Sequence, residues 1–298
     1  MGYGSIGSRH ARLLTTLGCS TAVLSSRSID FPIVFSDIAQ ALNEHRPEYV
    51  VVSNSTNLHH RTLEQLAEEG FSGRVLVEKP LFDNLHPVPP NNFHCLLVAY
   101  NLRFHPLLQR LRELLVDEIV LSVQAYVGQY LPAWRAGIDY RESYSAKARE
   151  GGGVLRDLSH ELDYLGWLFG AWSSVAALGG HYSDLEIDSD DLFLLLLQTE
   201  RCPAVSVQLN YLDREIKRRI IINTKKLSID ADFVAGILSV NGKKEFFCVE
   251  RDDTYLDMHR AALGDNRDVI CTLEEGCITM QLIEAAEQAS QQKKWVRR

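Results

Sequence analysis

The sequence predicts an α/β fold in two domains. Residues 1–100 make a parallel, doubly wound sheet, and residues 101–298 make an α/β domain with an open antiparallel sheet. Three observations predict this. Apolar strand runs alternate with amphipathic helical runs through the first hundred residues, the pattern of a parallel sheet wound by helices. From about Val175 to Val249 strand patterns follow one another, which suits an antiparallel sheet covered on one face. A glycine turn, Gly2-Tyr3-Gly4-Ser5-Ile6-Gly7, opens the chain ahead of a helical run from Ser8 to Gly18.

The elements follow in order. Thr21–Leu24 is a short strand. Asp37 to His45 reads as a helix, capped by Ser36 or Asp37 and ended by Pro47. Tyr49–Val52 is a continuous apolar run, as in a strand buried on both faces. Leu58 to Gly70 is an amphipathic helix closed by glycine. Val75–Val77 and Leu96–Tyr100 are further strands, separated by a loop at 86–92 whose three prolines forbid a helix. A helix from Pro106 to Leu115 then leads to a strand at Ile119–Val127. A polar aromatic segment spans Gln129 to Lys147. Gly151-Gly152-Gly153 precedes a helical run to Gly170. Strands follow at Leu192–Gln198, Ala204–Leu209, Arg219–Asn223, Lys226–Asp230 and Gly236–Val240, and a last helix at Gly276–Gln291.

Composition narrows the function classes. The chain has 298 residues, 46% of them hydrophobic and 23% charged, ordinary for a globular protein of two domains. A formal charge of -8 argues against a nucleic-acid surface. The basic end, Lys293 to Arg298, reads as a solvated helix end. Six scattered cysteines without a C-x-x-C pair suit reduced thiols in a cytoplasmic protein, and no metal site is expected. The longest apolar run, Leu192–Leu197, is too short to span a bilayer, and no signal peptide is seen.

The glycine turn carries chemistry. In a G-x-G-x-x-G turn the first glycine permits the tight bend, the second admits a pyrophosphate and the third lets helix pack on strand. Free N–H groups at the helix start then favour the anion. The strand that leads into such a turn is absent from the sequence, because only Met1 precedes Gly2. The natural protein is therefore expected to begin upstream.

Three more segments stand where chemistry is expected. Glu78-Lys79-Pro80 follows the strand Val75–Val77, at the carboxyl end where ligands of a doubly wound sheet lie. Asp157, His160, Glu161, Asp163 and Tyr164 fall at helical spacings, so carboxylates flank a histidine as a general base requires. Asn101-Leu102-Arg103-Phe104-His105-Pro106 lies at the domain junction and either lines the site or packs the domains. The segment Gln129–Arg141 offers aromatic rings for a sugar face and arginines for a carboxylate or phosphate. Ser25-Ser26-Arg27 follows the second strand where an acid would bind the ribose of NAD. Hydroxyls and a guanidinium there favour a 2′-phosphate, hence NADP(H) over NAD(H).

Taken together these residues resemble the glucose–fructose oxidoreductase/inositol dehydrogenase family, Gfo/Idh/MocA. The resemblance rests on the glycine turn continuing as Arg9-His10, on Asn57-Leu58-His59, on Glu78-Lys79-Pro80 and on Gly151–Gly170. It implies a Rossmann domain, a nicotinamide cofactor and an oxidoreductase acting on a CH–OH group of a sugar, sugar acid or nucleotide sugar, with bacterial surface-carbohydrate biosynthesis as one setting. It also implies a homo-oligomer, a dimer or tetramer. Carried over, Lys79 holds the reacting oxygen, His160 exchanges the proton and Asp157 polarises, although the family's aspartate lies four residues before its histidine and Asp157 lies three. Cofactor contacts are expected at Gly2, Gly4, Ser5, Ile6, Gly7, Ser26, Arg27, Asn54, His59, Glu78 and Lys79. Substrate contacts are expected at Arg103, Tyr130, Trp134, Arg135, Tyr140, Arg141 and His160. The competing reading is a non-catalytic dinucleotide-binding regulator, since fold does not fix function.

Overall fold

The structure is a computed structural model that describes residues 1–135, 137–264 and 267–298. In chain order its elements are α1 (Ser5–Thr16), β1 (Val23–Leu24), β2 (Val34–Phe35), α2 (Ile38–His45), β3 (Tyr49–Val52), α3 (His59–Glu68), β4 (Arg74–Val77), β5 (Cys95–Val98), α4 (Pro106–Leu114), β6 (Val120–Gly128), α5 (Val154–Asp157), α6 (His160–Phe169), β7 (Trp172–Gly180), β8 (Leu192–Thr199), β9 (Val205–Asn210), β10 (Lys217–Thr224), β11 (Ser228–Asp232), β12 (Ile237–Val240), β13 (Lys243–Phe246), α7 (Asp253–Leu263), β14 (Cys271–Thr272), α8 (Leu273–Gln292) and β15 (Val296–Arg297). They fall into two compact units, Met1–Phe104 with Glu250–Gly276, and His105–Val249 with Cys277–Arg298.

In the first unit β3, β4 and β5 run parallel, and β14 joins β5 antiparallel. The strand residues Val50–Val52, Val75–Val77 and Leu96–Val98 are buried, as continuous apolar runs require in a sheet covered on both faces. A sequence reading that begins the second domain at 101 places residues 250–276 there, but they belong to the first unit. The physical reason is α7. Its Met258 and Ala262, four residues apart, share a face and bury against Val51, Leu76 and Leu97. Asp37 caps α2 by accepting from the Gln40 amide, as its sequence position suggests.

β1 and β2 form a separate parallel pair. Met1 and Gly2 bridge this pair to β3. The Gly2 amide donates to Leu24 O, the Met1 amino group donates to Val51 O, and the Ser53 amide donates to Met1 O. A cavity of about 400 Å³ lies beside this bridge, lined by residues that include Leu14, Val23, Tyr49 and Val51.

The second unit holds a nine-stranded sheet in the order β13-β12-β11-β10-β6-β9-β8-β7-β15. Every neighbouring pair is antiparallel except β6 with β9, so the sheet is mixed. A parallel pair needs a long crossover. Here it passes through α5, α6, β7 and β8. Along β8, Phe193, Leu195 and Leu197 are buried while Leu194 and Leu196 are exposed. One face thus packs inward and the other stays open.

Two local expectations change. The helical run before Gly170 is broken into α5 and α6, because Leu158 leaves helical backbone at φ -100°, ψ 24°. The basic end is not a helix end, since Val296 and Arg297 add β15 to β7 as an edge strand. Among the described residues no helix is long and apolar enough to cross a membrane. No cluster of three or more His, Cys, Asp or Glu able to hold a metal ion occurs among them either.

Candidate functional site

The three glycines of the turn have three separate causes. Gly2 sits at φ +93°, and a Cβ there would strike the Ser53–Asn54 backbone. Gly7 leaves no room for a Cβ against Gly2 O and Ser53 Oγ, so α1 can approach the strand ends. Gly4 is different, because a Cβ there meets nothing within 4 Å. It is the N-cap of α1, with no side-chain cap and no acidic residue in the first turn. The first turn of α1 is therefore left without a side-chain cap next to open space at Gly4, beside the positive end of a helix dipole, which fits a dinucleotide pyrophosphate.

Ser26 and Arg27 are exposed in the turn after β1. Arg27 reaches back to the glycine turn, donating from Nη2 to Tyr3 O at 2.7 Å, while its amide donates to Ser25 Oγ. Tyr3 packs edge-on against Phe31. A guanidinium thus stands next to the pyrophosphate cradle.

Asn54 and His59 brace the loop after β3. Asn54 Nδ2 donates to Thr62 Oγ1 at 2.8 Å. His59 is buried, with Nδ1 3.1 Å from Leu81 O and Nε2 3.3 Å from Asn54 O. Burial lowers its pKa, and in the neutral form the ring donates to one of these two carbonyls. It ties the β3 loop to the segment after Pro80, and this holding role is what its contacts support. Glu78 leaves the end of β4 with its amide on Val52 O, and its carboxylate accepts from His10 Nε2 at 2.7 Å and from the Lys79 amide at 3.1 Å. Lys79 is half-buried at this strand end.

Arg103 lies elsewhere in its unit than an open substrate surface. It is 2% exposed, and its Nη1 donates to Glu275 Oε2 at 2.9 Å. It serves as an internal ion pair.

In the second unit, the Gly151–Gly153 turn brings α5 over the sheet. Gly153 takes φ +113°, and a Cβ there would strike Asp190, whose carbonyl and carboxylate accept from the Val154 and Leu155 amides. Burial raises the Asp190 carboxyl to about 6. Asp157 is buried at the end of α5, and the Tyr211 hydroxyl donates to its Oδ2 at 2.6 Å. The Asp157 carboxylate also acts on the buried Tyr144 phenol. Burial first, and then the Asp157 charge, push both phenols well above their ordinary range, so both remain donors. His160 opens α6 and is half-buried. Glu161 is not an accessory acid. It is buried and accepts from Arg218 Nε at 2.8 Å. Tyr164 stacks on Phe233 within the core.

The 129–141 segment joins this group through aromatic rings, though its Ala136 lies outside the described residues. Trp134 packs edge-on against Tyr211 at 5.1 Å, and its Nε1 donates to Gln129 O. Arg135 lies over the Tyr144 ring at 5.5 Å. Arg214 lies over the Tyr130 ring. Tyr140 accepts the Glu186 amide at its hydroxyl, and Arg141 is taken up by Asp139 and Glu186. Lys147 is likewise paired with Glu150. Trp134 and Arg135 therefore adjoin the two tyrosines that Asp157 acts on, whereas Arg141 and Lys147 are already neutralised. That weakens the case for an anionic substrate.

Sequence reasoning missed Tyr144, Tyr211 and His259. Tyr211 had a signal, for it continues the every-second-residue buried series Val205, Val207, Leu209. His259 had none, because α7 itself went unrecognised.

The glycine turn and the parallel sheet define a Rossmann-type nucleotide-binding domain. Residues 1–88 match the family model for the oxidoreductase family with NAD-binding Rossmann fold, and residues 109–229 match the GFO/IDH/MocA C-terminal domain. The chain belongs to the Gfo/Idh/MocA oxidoreductase family. An uncharacterized oxidoreductase of Synechocystis is 27% identical over 159 residues, covering 51% of this chain and 42% of that protein's length. The chain thus matches less than half the length of that curated relative. Among solved structures, levoglucosan dehydrogenase in complex with NADH superposes with a TM-score of 0.82 at 16% identity, covering 99% of this chain and 97% of that one. GenD2 from gentamicin A biosynthesis, in complex with NAD, gives 0.82 at 21% identity over 100% and 94% of the two chains. The WlbA dehydrogenase of Bordetella pertussis, in complex with NADH and UDP-GlcNAcA, gives 0.76 at 17% over 100% and 96%.

Proposed function

We propose that this protein oxidises or reduces a CH–OH carbon of a sugar, sugar acid or nucleotide sugar, with NADP(H) preferred over NAD(H). The observation that carries the reading is the uncapped start of α1 with open space at Gly4, beside a strand end that carries Lys79. When bound, the nicotinamide accepts a hydride from the substrate carbon or returns one to it. His160 takes the hydroxyl proton in the oxidative direction and gives it back in the reductive one. The Lys79 ammonium steadies the oxygen as negative charge develops on it. Asp157, held by the Tyr211 hydroxyl, stands three residues before His160 and orients it.

Arg27 supports the NADP(H) preference, because its guanidinium already lies against the glycine turn and no acid follows β1 until Asp30. The solved neighbours are complexes of NAD or NADH, which makes the cofactor titration informative. A sugar-type substrate is supported by Trp134, packed on Tyr211, and by Tyr130, whose ring faces Arg214.

The test is steady-state kinetics over a panel of sugars and nucleotide sugars, on the parent protein and on Lys79→Ala and His160→Ala. Each variant is expected to lose about 10²–10⁴ in turnover, the range for acid–base catalysis. Cofactor affinity should change far less. Near-normal turnover in both variants overturns these roles.

A further inference from the structure

We propose that Tyr49, His259 and His10 form a directed hydrogen-bond relay that holds the Glu78 carboxylate as an acceptor and thereby fixes the backbone of Lys79. The inference rests on the reading of Lys79 as a reacting-site residue, and it adds three positioning residues to that reading.

The chain of contacts is continuous. Tyr49 Oη lies 3.0 Å from His259 Nδ1, His259 Nε2 lies 2.8 Å from His10 Nδ1, and His10 Nε2 lies 2.7 Å from Glu78 Oε1. The second carboxylate oxygen accepts the Lys79 amide. His10 and His259 are 2% and 0% exposed, so water does not compete for these bonds. The rings meet edge-to-face at 4.9 Å, and Tyr255 closes the other side of His10.

Connectivity sets the direction. A carboxylate only accepts, so His10 Nε2 carries the hydrogen that faces Glu78. In the relay His10 Nδ1 then accepts and His259 Nε2 donates. Burial, and then the neighbouring His10, lower the His259 pKa to about 3, so His259 is neutral and its Nδ1 accepts. Tyr49 must then donate, and burial raises its pKa well above the ordinary value, which keeps the hydroxyl protonated. Cys95, Cys19 and Glu78 face Tyr49 and act in the same direction. Arg9 is engaged over the Tyr255 ring. Reversing every bond would place a proton on Glu78 Oε1 and leave the Lys79 amide a neutral carbonyl oxygen in place of a charged carboxylate.

The relay joins α1, β3 and α7 to the strand end that presents Lys79. Its purpose is therefore legible in geometry that packing alone does not require. A Leu or Phe at 259 would fill the space as well.

The experiment is histidine nitrogen NMR on the ¹⁵N-labelled protein near neutral pH, with hydrogen exchange at the Lys79 amide. Neither readout depends on turnover, so this test can fail while the Lys79 kinetics succeed, and the reverse. Both rings are expected as the Nε2–H tautomer. Tyr49→Phe should let His259 populate Nδ1–H, and His259→Phe should speed Lys79 amide exchange about five- to tenfold, the worth of about one hydrogen bond. An Nδ1–H tautomer on either ring of the parent protein overturns the relay. So does a Tyr49→Phe variant whose histidine signals stay unchanged, which is what a packing role alone would give.

Discussion

The Tyr211 hydroxyl donates to Asp157 Oδ2 at 2.6 Å from the end of the parallel-paired strand β9. This bond fixes a buried carboxylate three residues before His160, and Trp134 packs on the same tyrosine ring. The relationship links the middle of the sheet, the candidate catalytic turn and the aromatic segment. Removing the hydroxyl leaves Asp157 short of a donor in a buried place. Tyr211→Phe is therefore expected to lower stability by about 1–3 kcal/mol, the cost of a buried acceptor losing its partner, read by urea denaturation. A midpoint equal to the parent's would refute the role of this bond.

The glycines of the turn should separate binding from folding. Gly4→Ala adds a Cβ into open space at φ -81°, so stability should not change. The added methyl sits where a pyrophosphate approaches, so dinucleotide affinity should fall about tenfold or more. Gly7→Ala should instead impair folding, because its Cβ has no room against Gly2 O. Calorimetry paired with cofactor fluorescence titration distinguishes the two.

Cofactor choice should follow Arg27. NADPH is expected to bind more tightly than NADH, and Arg27→Asp should reverse the order, since a carboxylate repels the 2′-phosphate and accepts the ribose hydroxyl. Fluorescence titration checks it. Equal affinities for both in the parent protein would remove the argument from charge.

Asp190 gives the pH dependence a sign. Its folded pKa is raised to about 6 from 3.8, so the native state holds the proton more tightly than the unfolded chain does. That contribution is full below about pH 3.8 and is lost as pH rises through 6. Asp190→Asn keeps an acceptor for the Leu155 amide without the charge. It should be more stable than the parent at pH 7.5 by up to about 3 kcal/mol, with the difference vanishing near pH 4. His105 works in the opposite direction, for burial and Arg218 lower it to about 4. Its contribution is present above pH 6.5 and is lost as pH falls through 4. Thermal melts across pH 4–8 on parent and variant measure both.

The open sheet face should mediate self-association. Leu178 on β7 lies opposite Leu194 on β8, and Leu194 and Leu196 are exposed with it. A covered face would remove these side chains from water. Sedimentation at micromolar concentration is expected to show a dimer or tetramer, and Leu196→Glu to shift it toward monomer. A stable monomeric parent would rule this out.

The first-unit strands were legible because a strand buried on both faces must be apolar at every position. Tyr49–Val52 and Val75–Val77 satisfy that without any tertiary information. The α5–α6 break was not legible. Leu158-Ser159 carries no proline or glycine, yet Leu158 leaves helical backbone between Asp157, held by Tyr211, and Glu161, held by Arg218. The engagement of Arg103 and Arg141 was also hidden. Glu275 lies 172 residues from Arg103 and Glu186 lies 45 from Arg141, and no spacing rule reaches that far.

The amino-acid sequence by itself determined the fold class, and it singled out the glycine turn and the candidate residues Lys79, Asp157 and His160. Those features rest on local rules, namely apolar periodicity, glycine dihedrals and short motif spacing, together with the family resemblance that these motifs carry. Only the tertiary structure decided which charges are spent internally, that residues 250–276 belong with the first unit, and that β6 pairs β9 in parallel. It also decided the partners of Asp157 and Glu78. The physical reason is that hydrogen bonds and ion pairs form between whatever side chains the packed core brings within 3 Å, and that pairing is set by burial across distant segments.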